Sequence, residues 1–253
     1  MMFINFEVTS LILIASCFIA LCGSVIIWKD SVNITHSASH ASSLAIAISS
    51  IFQIPYFIIS AIIGIIFGGI KSTINRQNIK ITTNDAIYIM GNVSMAIGIL
   101  LEISFNHLKN IHQYLTGDIF LFTIQDMLAL GCISVFLGCI YLKNINNIII
   151  NITYNRKFWI LESFFINALE VSGIIIFTKI FGIITSSFVL GVLPIIAKKI
   201  SKNPIQMIIN IFVISLFILL LSYFLAIYFD FYFSFISSGI VLWILVLFIV
   251  FRK

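Results

Sequence analysis

Apolar stretches of roughly 18 or more residues recur along the whole chain, each long enough to cross a hydrocarbon core about 30 Å thick at 1.5 Å of rise per residue. A water-soluble fold has no place for such runs in series, because it needs a polar outer surface. Here only 9% of residues are charged and 61% are hydrophobic, whereas a soluble domain carries about 25% charged residues. The chain therefore reads as all-α, a polytopic membrane helix bundle of about eight or nine transmembrane helices. No repeat or linker divides it, so residues 1–253 form a single transmembrane domain.

The runs place helices over Leu11 to Trp28, His36 to Phe52, Pro55 to Ile70, Ala86 to Phe105, Ile119 to Leu142, Phe158 to Thr178, Ile180 to Ala197, Ile205 to Phe229 and Phe233 to Phe251. Pro55 suits a first helical turn, where its missing N–H costs nothing. The second span differs from the rest. Its stretch from Ser31 to Ser43 is rich in Ser, Thr, His and Asn, too polar to face lipid, and is expected to lie among other helices.

Cytoplasmic loops collect Lys and Arg. With the N-terminus outside, the inner loops hold Lys29; Lys71, Arg76 and Lys80; Lys143, Arg156 and Lys157; Lys198, Lys199 and Lys202; and Arg252 and Lys253. Lys109 and Lys179 are left outside. The split predicts an N-out, C-in multi-pass protein surrounded by membrane lipid. It also accounts for the net charge of +5 without nucleic acid as a partner. Cys17, Cys22, Cys132 and Cys139 lie inside apolar runs with no CxxC pair, which argues against both a disulfide framework and a zinc cage.

Polar groups inside the membrane each need a reason, since an ionised one costs roughly 2.5–3.5 kcal/mol at a helix centre. His36 and His40 are four residues apart and stack on one helical face, where neutral imidazoles can hold a borderline metal. Hydrogen bonding across helices is the plainer alternative. Ser37, Ala41 and Ala45 are small enough to admit a neighbouring helix closely. Asn92 could line the same pathway or make an interhelical hydrogen bond. Asp118 follows Gly117 and suits a helix N-cap, with a gating role as the alternative. Glu170 lies deepest of the carboxylates, and either pairs with Lys179 or turns neutral. His107 and His112 fall in an outer loop. No GxxxxGK[ST], HExxH or GxSxG motif occurs, so the chain is not expected to be an enzyme or to harvest ATP itself.

Trp28-Lys29 followed by Thr35-His36-Ser37-Ala38-Ser39-His40-Ala41-Ser42 resembles the permease family of zinc and manganese ABC transporters, whose run is Gly-Asp-Thr-Leu-Ala-His-Ala-Ser. Tyr114-Leu115-Thr116-Gly117-Asp118 is similar to that family's Tyr-Leu-Phe-Gly-Asp. Lys179-Ile180-Phe181-Gly182-Ile183, Leu193-Pro194-Ile195-Ile196-Ala197-Lys198-Lys199 and Pro204-Ile205-Gln206-Met207 resemble further family stretches in order. On this match His40 keeps a family histidine, His36 stands where the family has aspartate, and Asn92-Val93 stands where it has a second intramembrane histidine.

The resemblance implies a permease subunit in a bacterial inner (plasma) membrane that moves Zn2+ or Mn2+ between outward-open and inward-open states. His36 and His40 would hold the ion; Asn92, Asp118 and Glu170 would line or gate the path. It implies two copies of the chain as a homodimer, an ATP-binding ABC subunit that uses the ATP, and an extracytoplasmic metal-binding protein. No resident cofactor is expected in the chain. Two rival readings remain at this point: a permease for a metal chelate such as haem or a siderophore, and a degenerate membrane protein that transports nothing.

Overall fold

The computed structural model describes residues 6–29, 31–76, 83–105, 117, 119, 122–153 and 164–251. Among them are nine helices: α1 Phe6–Trp28, α2 Asn33–Phe52, α3 Tyr56–Arg76, α4 Thr83–Ser104, α5 Ile124–Thr153, α6 Phe164–Phe181, α7 Ile183–Ile200, α8 Pro204–Phe229 and α9 Phe233–Phe251. Six are long and apolar enough to span a bilayer, and α3 and α9 contain shorter apolar stretches. The serines and histidines of α2 keep it out of both groups, yet its 20 residues rise about 30 Å without a break.

Paired contacts fix the helix directions. Ile14 and Leu21 of α1 approach Gly131 and Gly138 of α5 in order, so these two helices run the same way. Ser37 and Leu44 of α2 meet Gly91 and Gly98 of α4, again in parallel. By contrast α1 and α6 run oppositely, Lys29 meeting Glu170 while Phe18 meets Phe177. The odd-numbered helices thus start at one face of the bundle, here the N-face, and end at the other, the C-face. This alternation is what consecutive crossings by the described helices require.

Burial separates the helices into two groups. Of the membrane-crossing windows, 72% of α1 and 78% of α6 are buried, against 28% in both α4 and α5. The first pair forms the centre, and the second presents Leu128, Val135, Phe136, Ile97 and Leu100 outward. An outward surface of this composition needs lipid, not water. Cys132 and Cys139 share that outer surface, Cys22 is buried, and all four cysteines are free.

Helix ends depart from the apolar runs where a local rule overrides hydropathy. The chain breaks at Gly182, with φ 84°, rather than near Lys179, because that backbone shape suits glycine and few other residues. Lys179 is therefore in the last turn of α6. Helix α5 runs beyond Leu142 into a polar stretch, where Asn144 donates to the Ile140 carbonyl at 2.8 Å.

A Gly-x-x-x-Gly pair, Gly64 and Gly68, seats α3 against α6. A Cβ on Gly64 would lie 2.6 Å from the Ala168 carbonyl oxygen, and one on Gly68 2.9 Å from the Ala168 nitrogen. Backbone cannot yield as a side chain does, so Gly64→Leu is expected to cost about 1–3 kcal/mol through overpacking. Gly69 has only an aromatic edge at 3.5 Å, and Gly69→Ala should be neutral or slightly stabilising. Thermal unfolding of the detergent-solubilised variants, followed by circular dichroism, checks both. Equal melting of the two variants would contradict this seam.

Candidate functional site

The polarity of α2 is largely absorbed by the helix itself. Ser37 donates to the Asn33 carbonyl, Ser39 to Thr35, Ser42 to Ser39 and Ser43 to His40, at 2.6–2.9 Å. Serine hydroxyls satisfied in this way can be buried without a water contact. Between α2, α6 and α7 the hydroxyls of Ser39, Thr178 and Ser186 form a buried triangle with edges of 3.0, 3.1 and 3.3 Å. The expected position of α2 among other helices is what the structure shows: it packs on α4, α6, α3 and α7.

Its two histidines point into the groove shared with α4. The His36 and His40 rings are stacked, with centroids 4.2 Å apart and planes 12° from parallel. The Tyr88 ring lies 6.0 Å from that of His36, and His40 Nδ1 lies 2.7 Å from Met95 Sδ. A thioether can only accept, so this contact assigns the proton to Nδ1 and leaves Nε2 as the basic nitrogen. His36 is exposed and His40 half-buried, so the pair is open to a visiting ion.

Stacking limits what the pair can do as it stands. An imidazole lone pair lies in its ring plane, and two stacked planes only 12° from parallel do not meet near both rings, so the two lone pairs cannot converge on one ion as they stand. One ring must rotate out of the stack for both to hold the same ion. Among the described residues no group of three or more His, Cys, Asp or Glu side chains converges within one chain.

Asn92 lies one turn past Tyr88, on the helix that faces the histidines. It is exposed on the α4 stripe between Tyr88 and Met95. Glu170 lies elsewhere, at the α1/α6 contact: both its oxygens accept from Lys29 Nζ at 2.9 Å, and the same Nζ donates to Asn167 Oδ1 at 3.1 Å. Lys179, the partner expected from sequence, instead donates to Asp126 Oδ2 at 2.6 Å and sits 4.7 Å from the centre of the Tyr56 ring. The correction has a steric origin, because Glu170 and Lys179 are nine positions apart on one helix (179 − 170 = 9), more than two turns. Lys29 also turns inward with a side chain only 2% exposed, rather than serving as a loop charge. Asp118, His107 and His112 lie outside the described residues.

Sequence reasoning passed over Tyr88, Met95 and Glu102. Their signal was available, since positions 88, 92, 95 and 102 share one helical stripe. It is masked by the apolar residues that dominate α4.

The comparisons follow the same line. Over 117 residues the chain is 31% identical to the high-affinity zinc uptake system membrane protein ZnuB of Buchnera aphidicola subsp. Schizaphis graminum (strain Sg), covering 45% of this chain and 44% of that protein. The chain thus spans less than half the length of that relative. To the ZnuB protein of Buchnera aphidicola subsp. Acyrthosiphon pisum (strain APS) it is 24% identical over 213 residues, 77% of each. A solved structure of PsaBC from Streptococcus pneumoniae in complex with Fab superposes with a TM-score of 0.78 over 95% of this chain and 89% of that one, at 16% identity. That likeness concerns the fold. The model of the ABC 3 transport family matches residues 2–252, nearly end to end, and the chain belongs to that family.

Proposed function

We propose that this chain is the membrane-spanning permease subunit of an ABC importer for divalent metal ions, carrying zinc in preference to manganese. The observation that carries the proposal is the stacked His36–His40 pair, open in the α2/α4 groove of a chain from the ABC 3 transport family. Two relatives bear the name of zinc uptake membrane proteins. Imidazole nitrogens beside a thioether sulfur suit zinc better than manganese, which favours oxygen ligands.

A transport site must take the ion and release it, so a few neutral ligands are better than a closed four-ligand cage. Two imidazoles from each of two copies would complete such a site where their α2/α4 faces meet. Ring rotation out of the stack would then accompany ion binding. ATP hydrolysis belongs to a separate ABC subunit docked at the C-face, where Lys143, Lys198 and Lys202 are exposed. That basic edge supports a cytoplasmic C-face in a bacterial inner membrane. An extracytoplasmic binding protein would load the N-face. A ligand biases such a two-state cycle only through its different affinity for the two states.

The test is ATP-dependent accumulation of radioactive zinc and manganese in liposomes holding the reconstituted complex, with no chelator added. Zinc accumulation exceeding manganese is the expected result. No accumulation of zinc in the lumen, with folded protein and active ATPase present, rules the proposal out.

A further inference from the structure

The α4 stripe that faces the histidines does not end with Met95. Tyr88, Asn92, Met95 and Glu102 are spaced by 4, 3 and 7 residues, which keeps them on one side of the helix. Close contacts of Gly91 with Ser37 and of Gly98 with Ser43 and Leu44 lock α4 against α2 in parallel. Carried one turn further, that register sets Glu102 opposite Ala47 and Ile48. It is seven residues past Met95, about 10 Å along the helix axis, in the last turn of α4 at the N-face.

Glu102 is 2% exposed, and neither carboxylate oxygen has a hydrogen-bond partner among the described residues. The other buried carboxylates, Asp126 and Glu170, each hold a lysine within 3 Å. An ionised carboxylate set apart from both water and a counter-charge is costly, so a cation or a proton must join it. Its place favours the cation: Glu102 lies toward the N-face on the same α4 stripe as Met95, which touches His40.

We infer that Glu102 is a capture ligand for a divalent cation at the N-face mouth of the α2/α4 groove, the step before the ion reaches the histidine pair. The inference rests on the permease reading above. A single carboxylate supplies the charge that the neutral imidazoles lack, and its oxygens accept zinc and manganese alike. Two sites about 10 Å apart also let one ion leave the mouth as the next arrives.

Binding of Mn2+ to the whole protein in nanodiscs, followed by electron paramagnetic resonance, tests the inference apart from transport. Glu102→Gln is close to isosteric and breaks no ion pair among the described residues, so the fold should survive. It is expected to weaken Mn2+ binding about tenfold or more, and Glu102→Asp less. The doubly substituted His36→Ala, His40→Ala protein should keep the Glu102-dependent binding. Unchanged Mn2+ affinity in Glu102→Gln, or no Mn2+ bound by the wild-type protein, overturns the inference. Radiometal uptake in liposomes is scored separately. Transport with unaltered Mn2+ binding in Glu102→Gln would sink the capture site alone, whereas Glu102-dependent binding without transport would sink the permease reading alone.

Discussion

Lys29→Ala is expected to destabilise the protein by about 3–5 kcal/mol, the largest loss of any single substitution considered, because it strands a buried charge. The Lys29 and Glu170 side chains are 2% and 0% exposed and 2.9 Å apart. Removing the cation leaves a carboxylate with no water and removes the donor to Asn167 as well. Against a total stability of about 5–15 kcal/mol for a typical protein, that loss depletes the folded population. The paired change of Lys29→Met with Glu170→Leu removes both charges and is expected to be near neutral, since a buried ion pair scarcely outweighs its own desolvation. Thermal melting of the detergent-solubilised proteins distinguishes these outcomes. A Lys29→Ala protein that melts with wild type, or a double variant no better than the single, shows that the pair is not what holds α1 to α6.

His40→Ala should act in the opposite manner, leaving stability near wild type and abolishing most of the transport. The ring is half-buried in a groove rather than packed in the core, and its described polar contact is with a thioether. Losing it removes one of the two imidazoles of the pair and with it the assigned Nε2 lone pair. Removing even an outer-shell partner of a metal site lowers affinity about 10–100-fold, and a direct ligand should cost at least as much. Met95→Leu keeps the apolar volume but deprives Nδ1–H of its acceptor, so a smaller fall is expected. ATP-driven uptake of radioactive zinc in membranes with matched protein abundance is the measurement. Undiminished uptake in His40→Ala would place the ion path elsewhere in the bundle.

What could be read from the sequence follows from which interactions are local. Most of the described helices were visible as apolar runs, six of them of membrane length, and α2 stood out because its serines and histidines interrupt that pattern. The stacked histidines were visible because a spacing of four residues fixes their common face within a single helix. The partner of Glu170 was not visible: Lys29 is 141 positions away in the chain, and only the packing of α1 on α6 joins them. Met95 and Tyr88 belong to the same class, since the register of α4 against α2 depends on the close approach at Gly91 and Gly98. Lys29 shows the limit of charge counting as well, because a lysine at a helix end can reach inward instead of standing in the aqueous loop.

The placement of the two ion pairs on α6, one buried and one half-buried, carries one more consequence. Near the C-face Glu170 ties this helix to α1, and at the N-face Lys179 ties it to α5 through Asp126 while lying over Tyr56 of α3. A rod fastened at two heights to three different neighbours can neither slide by a turn nor swing about one anchor unless a charge is torn from its counter-charge inside the membrane. In the proposed transport cycle α6 is then a stator, and α4, which packs chiefly on α2, moves only together with α2.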